Sequence, residues 1–403
     1  GGRYEAFTKP QAPKELLLSS QWDELEAIVR WIDPTPEQVH GALVLLSIRA
    51  LAKSKMVIRQ VPLDSKLPER TLLYLIEHER CVVPSVSFLS DDALNFVKNA
   101  LEIHEQFNLA QMLQGENVPG SVMGLQDMIH DKGEEVFRFY ILFLLGFMSG
   151  LQGGEGSRFM TRKNAETTIA GIRMLQQLMK GTPEGIYWGF LSSRARALCH
   201  PQETPVDLVL VRLACLARAR DPKAFQSVRS SWEALGHRET CILTNHFLAD
   251  GIKDSTFMFE FLPGCFQHAQ RNPIIGLTMM LEVLVDLLSN LVPALPGLEI
   301  PSDQKVVRVD LSDMAEFAAA VKNRFVFQTC VARSRFRVLG NRVRVEMTAG
   351  NWSRVLDVDS DMTTLAYGVK DIFMRQQAIE SLVRHQATNT LFDVREHLRR
   401  ERL

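Results

Sequence analysis

The sequence has no C-x-x-C pair and no clustered histidines, and its six cysteines (Cys81, Cys199, Cys215, Cys241, Cys265 and Cys330) lie far apart. That argues against a zinc site and a disulfide framework; the isolated cysteines read as reduced, buried thiols of an intracellular protein. No glycine-rich loop ends in G-K-[ST], which excludes a Walker A site. Long apolar runs are also lacking. The longest, Phe139 to Met148, is short of the ~20 residues needed to cross a bilayer and reads as a buried helix rather than a membrane insertion. Charge of one sign is missing too: Lys plus Arg number 46, Asp plus Glu 47, and the net charge is -1. A global pull toward nucleic acid or a membrane surface is thereby excluded, so any basic surface must be local. The chain opens GGRYEAFTKPQAP without Met, which reads as a fragment, a processed form or a tagged chain. No targeting segment is visible, and the expected location is intracellular and soluble, in cytoplasm or an organelle lumen or matrix from which a leader has been removed.

What is present is a globular composition, 46% hydrophobic and 23% charged over 403 residues, long enough for two or three domains. The periodicity predicts a mainly α fold: a large all-α N-terminal region of helical hairpins or a bundle, then a small α+β domain with a short antiparallel sheet. Residues 1–14 read as an extended segment and 15–290 as the helical domain, with a break near 150–160. Thr35-Pro36-Glu37-Gln38 has the form of a capped helix start, Ser90-Asp91-Asp92 caps another helix, and Gly236 ends a third. No fixed-period second copy supports a solenoid. The three prolines of LVPALPGLEIPSD mark 291–303 as a linker. From 304 to 403 the period alternates: KVVRVDL as a strand, one capped helix from Ser312, two hairpin strands, WSRVLDV as a further strand and a long last helix.

The hairpin strands carry the least ordinary pattern in the chain. In RSRFRVLGNRVRVEM, arginines recur at alternate positions on both sides of Gly340-Asn341, a pair suited to a two-residue type II′ turn. That register gives one face of Phe336, Val338, Val343 and Val345. The other holds Arg335, Arg337, Arg342 and Arg344, with Arg333 continuing the row and Arg308 joining it if KVVRVDL lies alongside. Arg337 then stands directly opposite Arg344, an unfavourable like-charge pair unless carboxylates or phosphates sit over it. The row reads either as a solvated face or one paired with carboxylates of the helical domain, or as an anion-binding surface. For the binding reading, the expected ligand is an acidic protein partner. RNA ranks below it, because the strands lack exposed aromatics for base stacking and the acidic stretch Asp357 to Asp361 stands where phosphate contacts need lysines.

Weaker constellations offer an enzymatic alternative on a phosphate-bearing substrate. Gly153, Gly154, Gly156, Ser157 and Arg158 could cradle a phosphate on backbone amides, or serve as a plain connector. His104 with the His130-Asp131 pair has the residue types of a metal-dependent phosphohydrolase, although only part of a ligand set is present. Thr278, Glu282 and Asp286 recur every four residues on an apolar helix and read as its solvent stripe. Asp357, Asp359 and Asp361 resemble the start of a calcium loop but lack its glycine and closing glutamate, and read as an acidic helix N-terminus. The combined reading is a non-catalytic interaction or scaffold protein, a subunit of a larger assembly, with no cofactor and no structural metal.

Overall fold

The computed structural model describes residues 2–62, 67–151, 157–200, 204–298, 304–339 and 342–347. The glycines of the candidate phosphate loop, the Gly340-Asn341 turn and the strand, helix and aspartates expected beyond 350 lie outside them. The protein is mainly helical with one small four-stranded sheet near its C-terminus, and it divides into two compact units. The first comprises Gly1–Cys215, Arg220–Pro222 and Ala249–Thr256; the second comprises Leu216–Ala219, Lys223–Leu248 and the chain from Phe257 onward.

In the first unit, α1 (Gly2–Thr8), α2 (Ser19–Ile32), α3 (Pro36–Ile48), α4 (Asp91–Gln106), α5 (Pro119–Lys132) and α6 (Glu134–Gly150) share one apolar core. The first helix forms within the stretch read as extended. Helix α6 carries the long apolar run, and Phe137, Phe139, Tyr140 and Phe143 on it are almost wholly buried. So apolar a helix is accommodated because its neighbours cover most of its circumference. The caps at Thr35 and Ser90 are where the sequence places them, whereas the helix expected to stop at Gly236 ends at Glu233, and the Gly236 carbonyl instead accepts from the Thr240 N–H at 3.1 Å at the start of the next helix. The Thr35 Oγ1 accepts from the Gln38 N–H at 3.2 Å while the Gln38 side chain accepts from the Thr35 N–H at 3.1 Å. Ser90 accepts from the Ala93 N–H at 3.3 Å at the head of α4.

The second unit is built on α7 (Leu262–Arg271), α8 (Gly276–Ala294), α9 (Ser312–Ala320), α10 (Arg324–Ala332) and strands β1 (Thr256–Glu260, all but its first residue in this unit), β2 (Val306–Asp310), β3 (Arg335–Leu339) and β4 (Arg342–Glu346). The sheet order is β1-β2-β4-β3. The hairpin β3–β4 is its antiparallel pair, with the register expected from the sequence: Arg337 opposite Arg344 and Val338 opposite Val343. In place of an antiparallel neighbour, β2 runs parallel to β4, with Arg308 beside Arg342 and Asp310 beside Arg344. The reason is connectivity. Two helices, α9 and α10, carry the chain from β2 back to the start of β3, and β4 then returns along β2. Three details depart from the expected pattern. Strand β1 lies inside the region read as helical. The stretch after Ser312 is two helices, broken at Val321 and restarted by Asn323, whose Oδ1 accepts from the Val326 N–H at 3.1 Å. Helix α8 runs through Ala294, so it enters the segment read as a linker.

Helix α8 is, among the described residues, the one helix with the length and apolarity to cross a membrane. Its Met280, Leu284, Leu287 and Leu291 are nevertheless buried within the protein, as in a core helix. Glu282 and Asp286 form its more polar stripe. Glu282 lies 3.4 Å from Arg324, and partial burial together with Glu282 holds the Asp286 carboxyl above its usual range.

Candidate functional site

The arginines of the small sheet divide into two groups by what they touch. Glu260 ends β1 and is 1% exposed. Its Oε1 accepts from Arg308 Nε at 2.8 Å, and its Oε2 lies 2.9 Å from Arg342 Nη1. A single carboxylate therefore bridges two guanidinium groups from two other strands, and this end of the row is closed to solvent. Parallel pairing creates the bridge, because it sets Arg308 and Arg342 side by side on one face.

At the middle of the row, Arg337 and Arg344 are directly opposed, as the alternation predicts, but their guanidinium groups part. Arg344 donates to Asp313 Oδ1 at 2.7 Å, at the head of α9, and this bond with the carboxylate's charge raises its affinity for the proton. Asp310 also lies close enough to act on it electrostatically, while its own Oδ1 accepts from the Ser312 N–H at 2.8 Å. Arg337 leans the other way, to Glu346 at 3.6 Å, with 66% of its side chain in solvent. Relief of the like-charge pair thus comes from α9 as well as from the hairpin.

The outer edge is different. Arg333 and Arg335 are exposed and make no ion pair among the described residues. With Arg337 they occupy alternate positions leading into and along β3, which ends the sheet order among the described residues. The opposite face of the hairpin is spent on packing: Val343 and Val345 are buried and Phe336 and Val338 half-buried. The arginine face of β2, β3 and β4 presents no aromatic side chain, and the aromatics of β1, Phe257 and Phe259, are buried.

The other sequence candidates are placed as follows. His104 is fully buried at the end of α4, inside a polar cluster of the helical unit. Arg49 Nη2 lies 3.0 Å from its Nε2, and the Tyr140 hydroxyl lies 3.2 Å from its Nδ1 while donating to the Phe107 carbonyl at 2.7 Å. This network assigns a neutral ring with the proton on Nδ1, since Arg49 can only donate and Tyr140 has already donated. Burial, then the Arg49 charge, pushes its pKa down to about 3. Arg49 itself stacks 3.8 Å from the centroid of the Phe147 ring. Both ring nitrogens are therefore committed, while His130 and Asp131 are exposed in the last turn of α5. Among the described residues no cluster of three or more His, Cys, Asp or Glu could hold a metal ion. Of the cysteines read as buried, Cys215, Cys265 and Cys330 are, whereas Cys81, Cys199 and Cys241 are exposed.

Ser157 is buried and its polar groups are used within the protein. Its N–H donates to the Phe7 carbonyl at 3.0 Å, its carbonyl accepts from Gln11 at 2.6 Å, and its Oγ accepts from the Met160 N–H at 3.1 Å. Arg158 beside it is exposed. Sequence reasoning missed Glu260, the organising carboxylate of the sheet. The run Thr256 to Glu260, TFMFE, carried the signal: a β-prone stretch between Asp254-Ser255 and Pro263-Gly264.

A model of a family described as "Family of unknown function (DUF6829)" matches residues 1–325. No curated protein matches the chain, and no solved structure does. The matched residues include Glu260, Arg308 and Asp313 and end before the hairpin.

Proposed function

The chain belongs to that family of unknown function, so its role is read from its own surfaces, and we propose that it is a non-catalytic interaction protein whose β3 edge docks an acidic, extended segment of a partner. The observation that carries this reading is the division of the arginines. Arg308, Arg342 and Arg344 are neutralised by Glu260 and Asp313, while Arg333 and Arg335 make no ion pair among the described residues and the largely exposed Arg337 has only the 3.6 Å contact with Glu346. Alternate residues of a strand recur about every 7 Å. A partner with Asp or Glu at every second position of a strand has the same repeat, and lying along β3 it would set opposite charges across from one another.

The lack of aromatic side chains on this face favours a protein ligand over RNA, which is bound on sheets largely by stacking. For the enzymatic alternative, the central residues His104 and Ser157 are both occupied by internal hydrogen bonds. Fluorescence anisotropy tests the proposal with a labelled peptide carrying glutamate at alternate positions and its glutamine counterpart. The glutamate peptide should bind more tightly, weaken as salt is raised, and lose about tenfold in affinity to Arg333→Glu/Arg335→Glu. Equal binding of both peptides would remove the charge-reading role. Tighter binding of single-stranded RNA than of the glutamate peptide would move the assignment to nucleic acid.

A further inference from the structure

The helical unit holds a second feature, independent of the arginine hairpin: a cavity of about 430 Å³ walled by α1, α2 and α6. Its lining is largely apolar, with Phe7, Trp22, Leu25, Val29 and Leu145. Its polar groups are few: Arg3 and Arg30, Glu26 and Ser149. That combination of size, apolar lining and a small number of charged groups is the usual make-up of a small-molecule site, which spans roughly 300–1,000 Å³.

The walls are held in place. The Phe7 ring packs 5.1 Å from the Trp22 ring, and Tyr4 lies edge-on to Trp22 at 6.1 Å. Helix α1 is short, but it is tied down at several points. The Tyr4 hydroxyl donates to the Leu17 carbonyl at 2.6 Å, and the Phe7 carbonyl accepts from the Ser157 N–H. Just beyond the helix, Gln11 donates to the carbonyls of Ser157 and Met160 and accepts from the Leu17 N–H. The buried Ser157, read from sequence as part of a phosphate loop, thus serves to hold the cavity wall.

The charges are unequal in availability. Glu26 accepts a hydrogen bond from the Trp22 indole N–H at 3.1 Å, within its own helix. Arg3 and Arg30 are exposed and make no ion pair among the described residues. Two cations and one carboxylate on an otherwise apolar cavity favour a ligand with an apolar body and a single negative charge. A dianionic phosphate monoester would meet Glu26 with a second charge, whereas a carboxylate takes the arginine fork with one.

We propose that this cavity binds an amphiphilic monoanion, an aliphatic or aryl carboxylate whose apolar body lies against Trp22, Leu25 and Leu145 and whose head is held by Arg3 and Arg30. All the lining residues fall within the family match, so the site belongs to the matched region and not to the hairpin.

Isothermal titration calorimetry of the full chain with decanoate, decanol and decyl phosphate tests it. Decanoate should bind at one site per chain, at least tenfold more tightly than either of the others. Arg3→Gln/Arg30→Gln should weaken decanoate about tenfold and leave decanol unchanged. Val29→Trp, a filling change at a partly exposed position that circular dichroism can show to be folded, should remove decanoate binding. Equal affinity for decanoate and decanol, decanoate binding that survives the double arginine variant or Val29→Trp, or no binding at millimolar ligand would each overturn the proposal. Preference for decyl phosphate would overturn the monoanion assignment.

Discussion

At the scale of single residues, two buried titratable groups make the most definite claims. Glu260 is enclosed and shared by Arg308 and Arg342, so removing it leaves two guanidinium groups in a low-dielectric setting with no counter-charge from that residue. Breaking a buried ion pair from one side costs about 3–5 kcal/mol. Glu260→Ala should lower the stability of the second unit by that order in urea unfolding, and a loss below about 1 kcal/mol would show that the bridge is not structural. His104 makes a claim about pH. Its folded-state pKa, about 3, lies below the ordinary histidine value of 6.5, so between these values the unfolded chain binds more protons. Stability from this group is whole above pH 6.5 and is lost as pH falls toward about 3, at up to about 1.4 kcal/mol per pH unit. Wild type should therefore lose stability more steeply than His104→Gln between pH 6.5 and 5. Parallel slopes would contradict a neutral buried ring.

At the scale of elements, much of the helical region can be read directly from the sequence, and the capping boxes show why. Thr35 and Gln38 declare a helix start through local chemistry alone, and each side chain satisfies the other's backbone N–H. Thr35→Ala should cost about 1 kcal/mol in thermal or urea unfolding. A fully neutral result would mean that packing, not the cap, fixes where α3 begins.

Elements decided by distant partners are much less legible. Five residues of TFMFE are compatible with the edge of a helix or with a strand, and only hydrogen bonding to β2 settles it. The break at Val321 carries no proline or glycine, so local propensity favours one continuous helix from Ser312 to Ala332. Hairpin register was legible because side-chain alternation and the two-residue loop fix it together. The arginine row could be read from the same alternation, and pairing with carboxylates of the helical region was one of its readings, but which carboxylates do so could not be read. Glu260 and Asp313 reach it from β1 and α9, which are remote from the hairpin in sequence.

At the scale of the whole molecule, a net charge of -1 conceals a local distribution that sequence totals cannot show. The cations of the small sheet are ordered from buried and bridged at Arg308 to exposed and unpaired among the described residues at Arg333 and Arg335. An arginine row of this kind also discourages unwanted edge-to-edge pairing, so charge at an edge does not by itself imply a ligand. A reversal of specificity separates docking from simple protection. Affinities of wild type and of Arg335→Glu/Arg337→Glu should be measured for two extended peptides, one with glutamate and one with lysine at alternate positions. The account predicts that wild type prefers the glutamate peptide and that the variant, still folded by circular dichroism, prefers the lysine peptide. Unchanged preference in the folded variant, or binding of neither peptide by wild type, would contradict it.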